Sequence, residues 1–157
     1  MKKILIFLIC LILAGCSSQS SEHGQKRKEL SEYKKIVQKV KTSKPQENPP
    51  FDYRLVYSKV DDGYRYDLII NNPSITMLHI KALSYSSSLN DKYYPTLGLF
   101  EEAQYSLKKD YVNKKEDYYK GFALSGKVKE KDELKLYISY ENKSKRVGEV
   151  YRIHYEN

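Results

Sequence analysis

The sequence predicts an all-β fold, an antiparallel β-sandwich of six or seven short strands, and three observations carry that expectation. After position 51, runs that alternate apolar with polar residues recur at intervals of about ten residues, turn-forming residues separate them, and strands and helices do not alternate. The aromatic content agrees, with sixteen Tyr, four Phe and no Trp. Tyrosine suits a half-buried pleated surface, because its ring packs while its hydroxyl reaches water or a partner.

The strands are read in order. Residues 51–59 set Phe51, Tyr53, Leu55 and Tyr57 on one side of a strand. Asp61-Asp62-Gly63 is a hairpin signal, since Asp-Gly takes the positive φ of a tight turn, and 64–71 form the returning strand. Asn71-Asn72-Pro73-Ser74 ends it, because proline cannot donate to a ladder. Residues 76–85 form a third strand through Met77, Leu78, Ile80, Ala82, Leu83 and Tyr85, and 86–95 are a polar loop. Residues 96–112 fit either a short helix (Leu97, Leu99, Phe100, Ala103, Leu107) or a strand from 104 onward, and a strand after a turn or short helix is favoured. Residues 117–124, 133–141 and 147–155 complete the set, with Leu134, Leu136, Ile138 and Tyr140 alternating well.

Ahead of this domain the chain is organised differently. Lys2 and Lys3 precede an apolar run from Ile4 to Ala14, which is too short to cross a bilayer of about 30 Å and reads as the core of a secretory leader. Leu13, Ala14 and Gly15 then lead to Cys16. This start resembles that of bacterial lipoproteins, whose lipobox ends in a cysteine. The resemblance implies a signal peptide over 1–15, cleavage after Gly15 and a diacylglyceryl group on the Cys16 sulfur. Two acyl chains anchor a protein stably, whereas one is marginal. The implied location is the outer face of a bacterial plasma membrane, or the outer membrane in a Gram-negative cell. The lysine-rich, Trp-free composition points to a Gram-positive source. The strand closing in Asn-Pro over 67–73 and the Leu-x-Leu-x-Ile-x-Tyr run after 126 are similar to small immunoglobulin-like modules of bacterial surface lipoproteins.

Residues 16–50 are expected to be a lipid-anchored tether, with 51–157 as the sandwich. Within the tether, 22–41 place Leu30, Tyr33, Val37 and Val40 at helical spacing among Lys26, Arg27, Lys28, Lys34 and Lys35. Such a helix either lies on an anionic membrane through those five basic residues or serves as a solvated stalk. Pro45, Pro49 and Pro50 mark a linker beyond it.

Removing Lys2 and Lys3 leaves 26 basic against 20 acidic residues, or about +6, a balance drawn to anionic surfaces. Secretion sets nucleic acid aside. With Cys10 in the leader and Cys16 acylated, the folded part carries no thiol. His23, His79 and His154 stand apart in sequence, and the acidic pairs Asp61-Asp62, Glu101-Glu102 and Glu116-Asp117 fall in predicted turns or their margins. None of these patterns matches a hydrolase elbow, a phosphate loop or a metalloprotease helix, so no catalytic residue, metal site or cofactor is expected. Lys108-Lys109, Lys114-Lys115 and the 143–146 segment could form a basic rim or simply guard strand edges. The expected role is a non-catalytic accessory module that meets a protein partner of the cell envelope through a sheet edge or a Tyr-rich face. Immunity or exclusion against a bacteriocin or phage, and capture of a small ligand between the sheets, are the alternatives.

Overall fold

The computed structural model describes residues 18–101 and 103–155. The lipobox residues Leu13, Ala14, Gly15 and Cys16 lie outside the described residues. Six strands of eight or nine residues dominate: β1 (Asp52–Val60), β2 (Gly63–Asn71), β3 (Leu78–Tyr85), β7 (Gly121–Val128), β8 (Leu134–Asn142) and β9 (Lys145–Ile153). Three two-residue strands, β4 (Thr96–Leu97), β5 (Ser106–Leu107) and β6 (Tyr118–Tyr119), lie between β3 and β7. They form one three-stranded sheet, β1-β2-β7, and one four-stranded sheet, β4-β3-β8-β9, both antiparallel. The fold is an all-β sandwich. One departure is the small pair β5-β6, which is parallel.

The region 96–112 holds the short strands β4 and β5 and no helix among its described residues. Gly98, at φ +67, turns the chain there, and a Cβ on it would sit 2.4 Å from the Ile80 carbonyl oxygen. A helix cannot continue through so close a crossing.

Turn chemistry separates the two hairpins. Asp61 and Asp62 close β1 on β2, but only Gly63, the first residue of β2, takes a positive φ, at +114. The turn with two positive φ values lies instead between β8 and β9, at Lys143 (47°) and Ser144 (62°). Asn142 pairs with Lys145 across it, so the loop is two residues long.

The core is built from the facing sides of the two sheets. Leu55, Tyr66, Leu68, Ile70, Leu124 and Val128 come from the first sheet, and Ile80, Ala82, Leu134, Leu136, Ile138 and Ile153 from the second. Aromatic residues close its ends, with Phe51 packing edge-on against Tyr151 at 5.7 Å between centroids.

The second sheet is covered on both faces. Helix α1 (Ser18–Thr42) lies on its outer side, burying Tyr33, Ile36 and Val40 against Leu83, Leu99 and Val150. Alternation along β3 explains the match: Ile80, Ala82 and Ser84 turn inward while Lys81, Leu83 and Tyr85 meet the helix. Polar ties fix the register, with Lys81 Nζ 2.7 Å from Glu32 Oε1 and Lys39 Nζ donating to Gly148 O at 2.7 Å. Neither sequence alternative for 22–41 anticipates this packing, in which the apolar stripe is a second, smaller core. Leu30 leaves the stripe and is exposed, while Ile36 joins it. The helix ends at Thr42, three residues before Pro45.

Candidate functional site

Strand edges are where a sandwich exposes unpaired backbone, and this fold treats its edges unequally. Beyond α1 the chain returns so that Gln46 N donates to Val150 O and Arg152 N to Gln46 O, both at 2.8 Å, which covers part of the β9 edge. The end of β7 is covered in the same way, by Asn90 N to Lys127 O at 2.8 Å and Lys129 N to Ser88 O at 3.0 Å. By contrast, β1 has no backbone hydrogen bond to any segment but β2 among the described residues. In an antiparallel strand alternate N–H and C=O groups point away from the partner, so along its nine residues β1 presents a row of unpaired donors and acceptors.

Beside this edge runs an open groove of about 800 Å³ that reaches from Glu47 to Tyr155 and takes in β1 from Asp52 to Tyr57. Its walls are held rigidly. Tyr57 packs edge-on against Tyr64, Tyr66 and Tyr155, with centroids 6.4, 6.3 and 5.0 Å away. Its hydroxyl donates to Asp132 O and accepts from Asp132 N at 3.3 Å, and burial pushes its pKa up, so it stays a neutral phenol. Lys131 Nζ lies over the rings of Tyr64 and Tyr155 at 5.3 and 5.2 Å.

The groove's far end is charged. His154 Nε2 lies 3.0 Å from Glu47 Oε2, while its Nδ1 is 3.9 Å from Glu133 Oε2. Arg152 Nε bridges the same two carboxylates at 3.4 and 3.9 Å. One imidazole and one guanidinium thus share two glutamates, of which Glu47 lines the groove together with His154. On the outer face of β1, Arg54 and Val56 are exposed.

The remaining sequence candidates fall elsewhere. His79 sits at φ 49 in a bulge of β3, with Nδ1 3.4 Å from Glu141 Oε2, and Arg146 Nη1 holds the other oxygen of that carboxylate at 3.3 Å. Because β8 lies between β3 and β9, His79 and His154 do not converge. Asp62 accepts from Asn90 Nδ2 at 3.3 Å. Among the described residues no group of three or more His, Cys, Asp or Glu is placed to hold a metal ion. Lys108 and Lys109 join Lys120 around an open pocket of about 610 Å³, whereas Lys143 lines a separate one beside Ile75. Lys26, Arg27, Lys28, Lys34 and Lys35 are all exposed on α1.

The bare edge of β1 was not legible in the sequence, since exposure of an edge depends on which strand lies beside it. No helix among the described residues is long and apolar enough to cross a membrane. Compared with known proteins, the chain matches no family model, no curated protein and no solved structure.

Proposed function

We propose that this protein is a lipid-anchored, extracytoplasmic binding module without catalytic activity, which takes an extended segment of an envelope protein onto β1. The free edge of β1 beside its groove is the observation that carries the reading. An added strand would gain main-chain hydrogen bonds, and pockets between Arg54, Val56 and the Tyr57 cluster would read its side chains. The lipobox-like Leu13-Ala14-Gly15-Cys16 supports the anchor, and with it a site on the outer face of the bacterial membrane. We further read the strand order as immunoglobulin-like. Sheets β1-β2-β7 and β4-β3-β8-β9 correspond to an A-B-E sheet facing a C′-C-F-G sheet, with a cross-over between sheets after β2.

Site-specific photo-crosslinking in cells tests the proposal. A photoreactive residue at Arg54 or Val56 of the full chain is expected to trap one recurrent protein partner, and the same residue at Lys115 is not. Adducts of equal yield from all three positions, or none from β1, would overturn it.

A further inference from the structure

We infer that the solvent side of α1, with the aromatic patch beside it, is a docking face for an anionic phospholipid bilayer. The inference deepens the anchored reading and rests on it, because acylation of Cys16 would fix the start of α1, at Ser18, next to the headgroups.

Basic residues run along the solvent side of the helix. Arg27, Lys34 and Lys41 are seven residues apart, two helical turns each, so they form one line along its axis, and Lys28 and Lys35 form the neighbouring line. All five are exposed. Glu29 and Glu32 lie off the line of Arg27, Lys34 and Lys41, toward the sheet, with Glu32 on the side of Lys28 and Lys35. Glu32 is spent on Lys81 Nζ at 2.7 Å, and Glu29 accepts from Gln25 Nε2 at 3.1 Å.

Apolar surface lies next to the basic line. Leu30 falls three residues after Arg27 and four before Lys34, and it is 42% exposed. One turn on, the buried Tyr33 carries Tyr93 and Phe100 on its ring, at 6.1 and 5.6 Å, and these two are 56% and 46% exposed. Tyr33 holds the loop in place, its hydroxyl accepting from Tyr94 N at 3.0 Å. Lys92 Nζ lies 5.3 Å from the Tyr93 ring, adding a further cation. Glu101, next to Phe100, accepts from the Phe100 amide at 3.4 Å. Leu30, Tyr93 and Phe100 are three of the five large apolar side chains most exposed among the described residues, and they gather around a single tyrosine. A soluble surface gains nothing from such a cluster, whereas a bilayer boundary accepts aromatic rings and pairs lysines with anionic headgroups. Docked this way, the module is held flat on the membrane by its helix.

The chain has no Trp, so Phe100→Trp supplies a single reporter. The lipidated full chain is reconstituted into vesicles carrying acyl-brominated lipid, with either zwitterionic lipid alone or about a third phosphatidylglycerol. Trp emission is expected to fall about two-fold more in the anionic vesicles, where the ring reaches the acyl boundary. Replacing Arg27→Gln, Lys34→Gln and Lys41→Gln together should abolish that difference, since each cation contributes about five-fold and three about a hundred-fold to surface association. Unquenched Trp on a protein whose Cys16 carries acyl chains by mass spectrometry would overturn the docking face and leave the anchor standing. If Cys16 is unmodified, the anchored reading falls, and co-sedimentation of the same protein with anionic vesicles decides the docking face alone: pelleting supports it and a protein left in the supernatant overturns it.

Discussion

The hydroxyl of Tyr66 on β2 lies 2.8 Å from the hydroxyl of Ser84 on β3, joining the two sheets through a hydrogen bond in which neither residue is exposed. Tyr66 is seated opposite Gly126 of β7, where a Cβ would come within 2.8 Å of its ring, so the glycine makes room for the tyrosine to reach across the core. Burial pushes the Tyr66 phenol far above its usual pKa, which keeps it a neutral donor or acceptor. Removing one partner strands the other hydroxyl in an apolar core, so Tyr66→Phe or Ser84→Ala alone should each cost about 1–3 kcal/mol. The double variant is expected to cost less than the two single losses combined, as chemical denaturation of all four proteins would reveal.

A second prediction concerns the β8–β9 turn. Lys143 and Ser144 occupy left-handed backbone that ordinary side chains disfavour by roughly 1–2 kcal/mol each. Asn and Gly tolerate it, so Lys143→Asn with Ser144→Gly should stabilise the domain by about 1 kcal/mol, seen as a higher midpoint in urea with an unchanged slope.

This turn marks the boundary of what the sequence made readable. Five of the six long strands were legible near their observed places from alternation, whereas β7 was read at 117–124 and runs from Gly121 to Val128, with the short β6 ahead of it. Leu134 to Tyr140 is the clearest case: its odd positions Lys135 and Tyr137 are less buried than their neighbours. Asp-Gly pointed to the right hairpin, although of the pair only Gly63 bends to positive φ. Lys143-Ser144 carries no turn signature; pairing from Leu134↔Ile153 to Asn142↔Lys145 imposes the turn on it. The helix was visible as periodicity, but its docking was not. Ile36 could have been found, three residues after Tyr33 and four before Val40, whereas its partners Leu83 and Val150 lie far along the chain. The open β1 edge depends on Gln46 and Ser88–Asn90 covering other edges, a tertiary relation that no local pattern encodes.

The docking of α1 gives the third prediction. Val40 is fully buried against the second sheet, and Lys135 Nζ reaches its carbonyl at 3.3 Å. Trimming it to alanine removes two methylene equivalents and leaves a small void, so Val40→Ala should cost about 2 kcal/mol. A solvated stalk would show no loss. Lys28→Ala, on the exposed side, should change stability by less than about 0.5 kcal/mol, and the contrast between the two melts separates a packed helix from a spacer.

The last prediction is a pH dependence centred on Asp67. This carboxylate of β2 accepts from Ser125 Oγ on the neighbouring strand and from Arg65 Nε and Nη2 at 3.2 and 3.0 Å. The Ser125 hydrogen bond, followed by that from Arg65, holds its pKa below the usual aspartate range. A depressed folded-state pKa means that the stabilisation is complete above the unfolded value of about 3.9 and is lost as pH falls through the folded value. The Asp67 side chain is 31% exposed and Arg65 is more exposed still, so water screens the pair in part and the contribution at neutral pH should be about 0.5–1 kcal/mol. Asp67→Asn is therefore expected to lower stability by that amount at pH 7 and to match the parent at about pH 2, where both side chains are uncharged. Ser125→Ala should remove about half of the pH-dependent part and leave Arg65 in place. Denaturation midpoints across that range check the account, and a constant difference between Asp67→Asn and the parent at every pH would show that the carboxylate's charge contributes nothing.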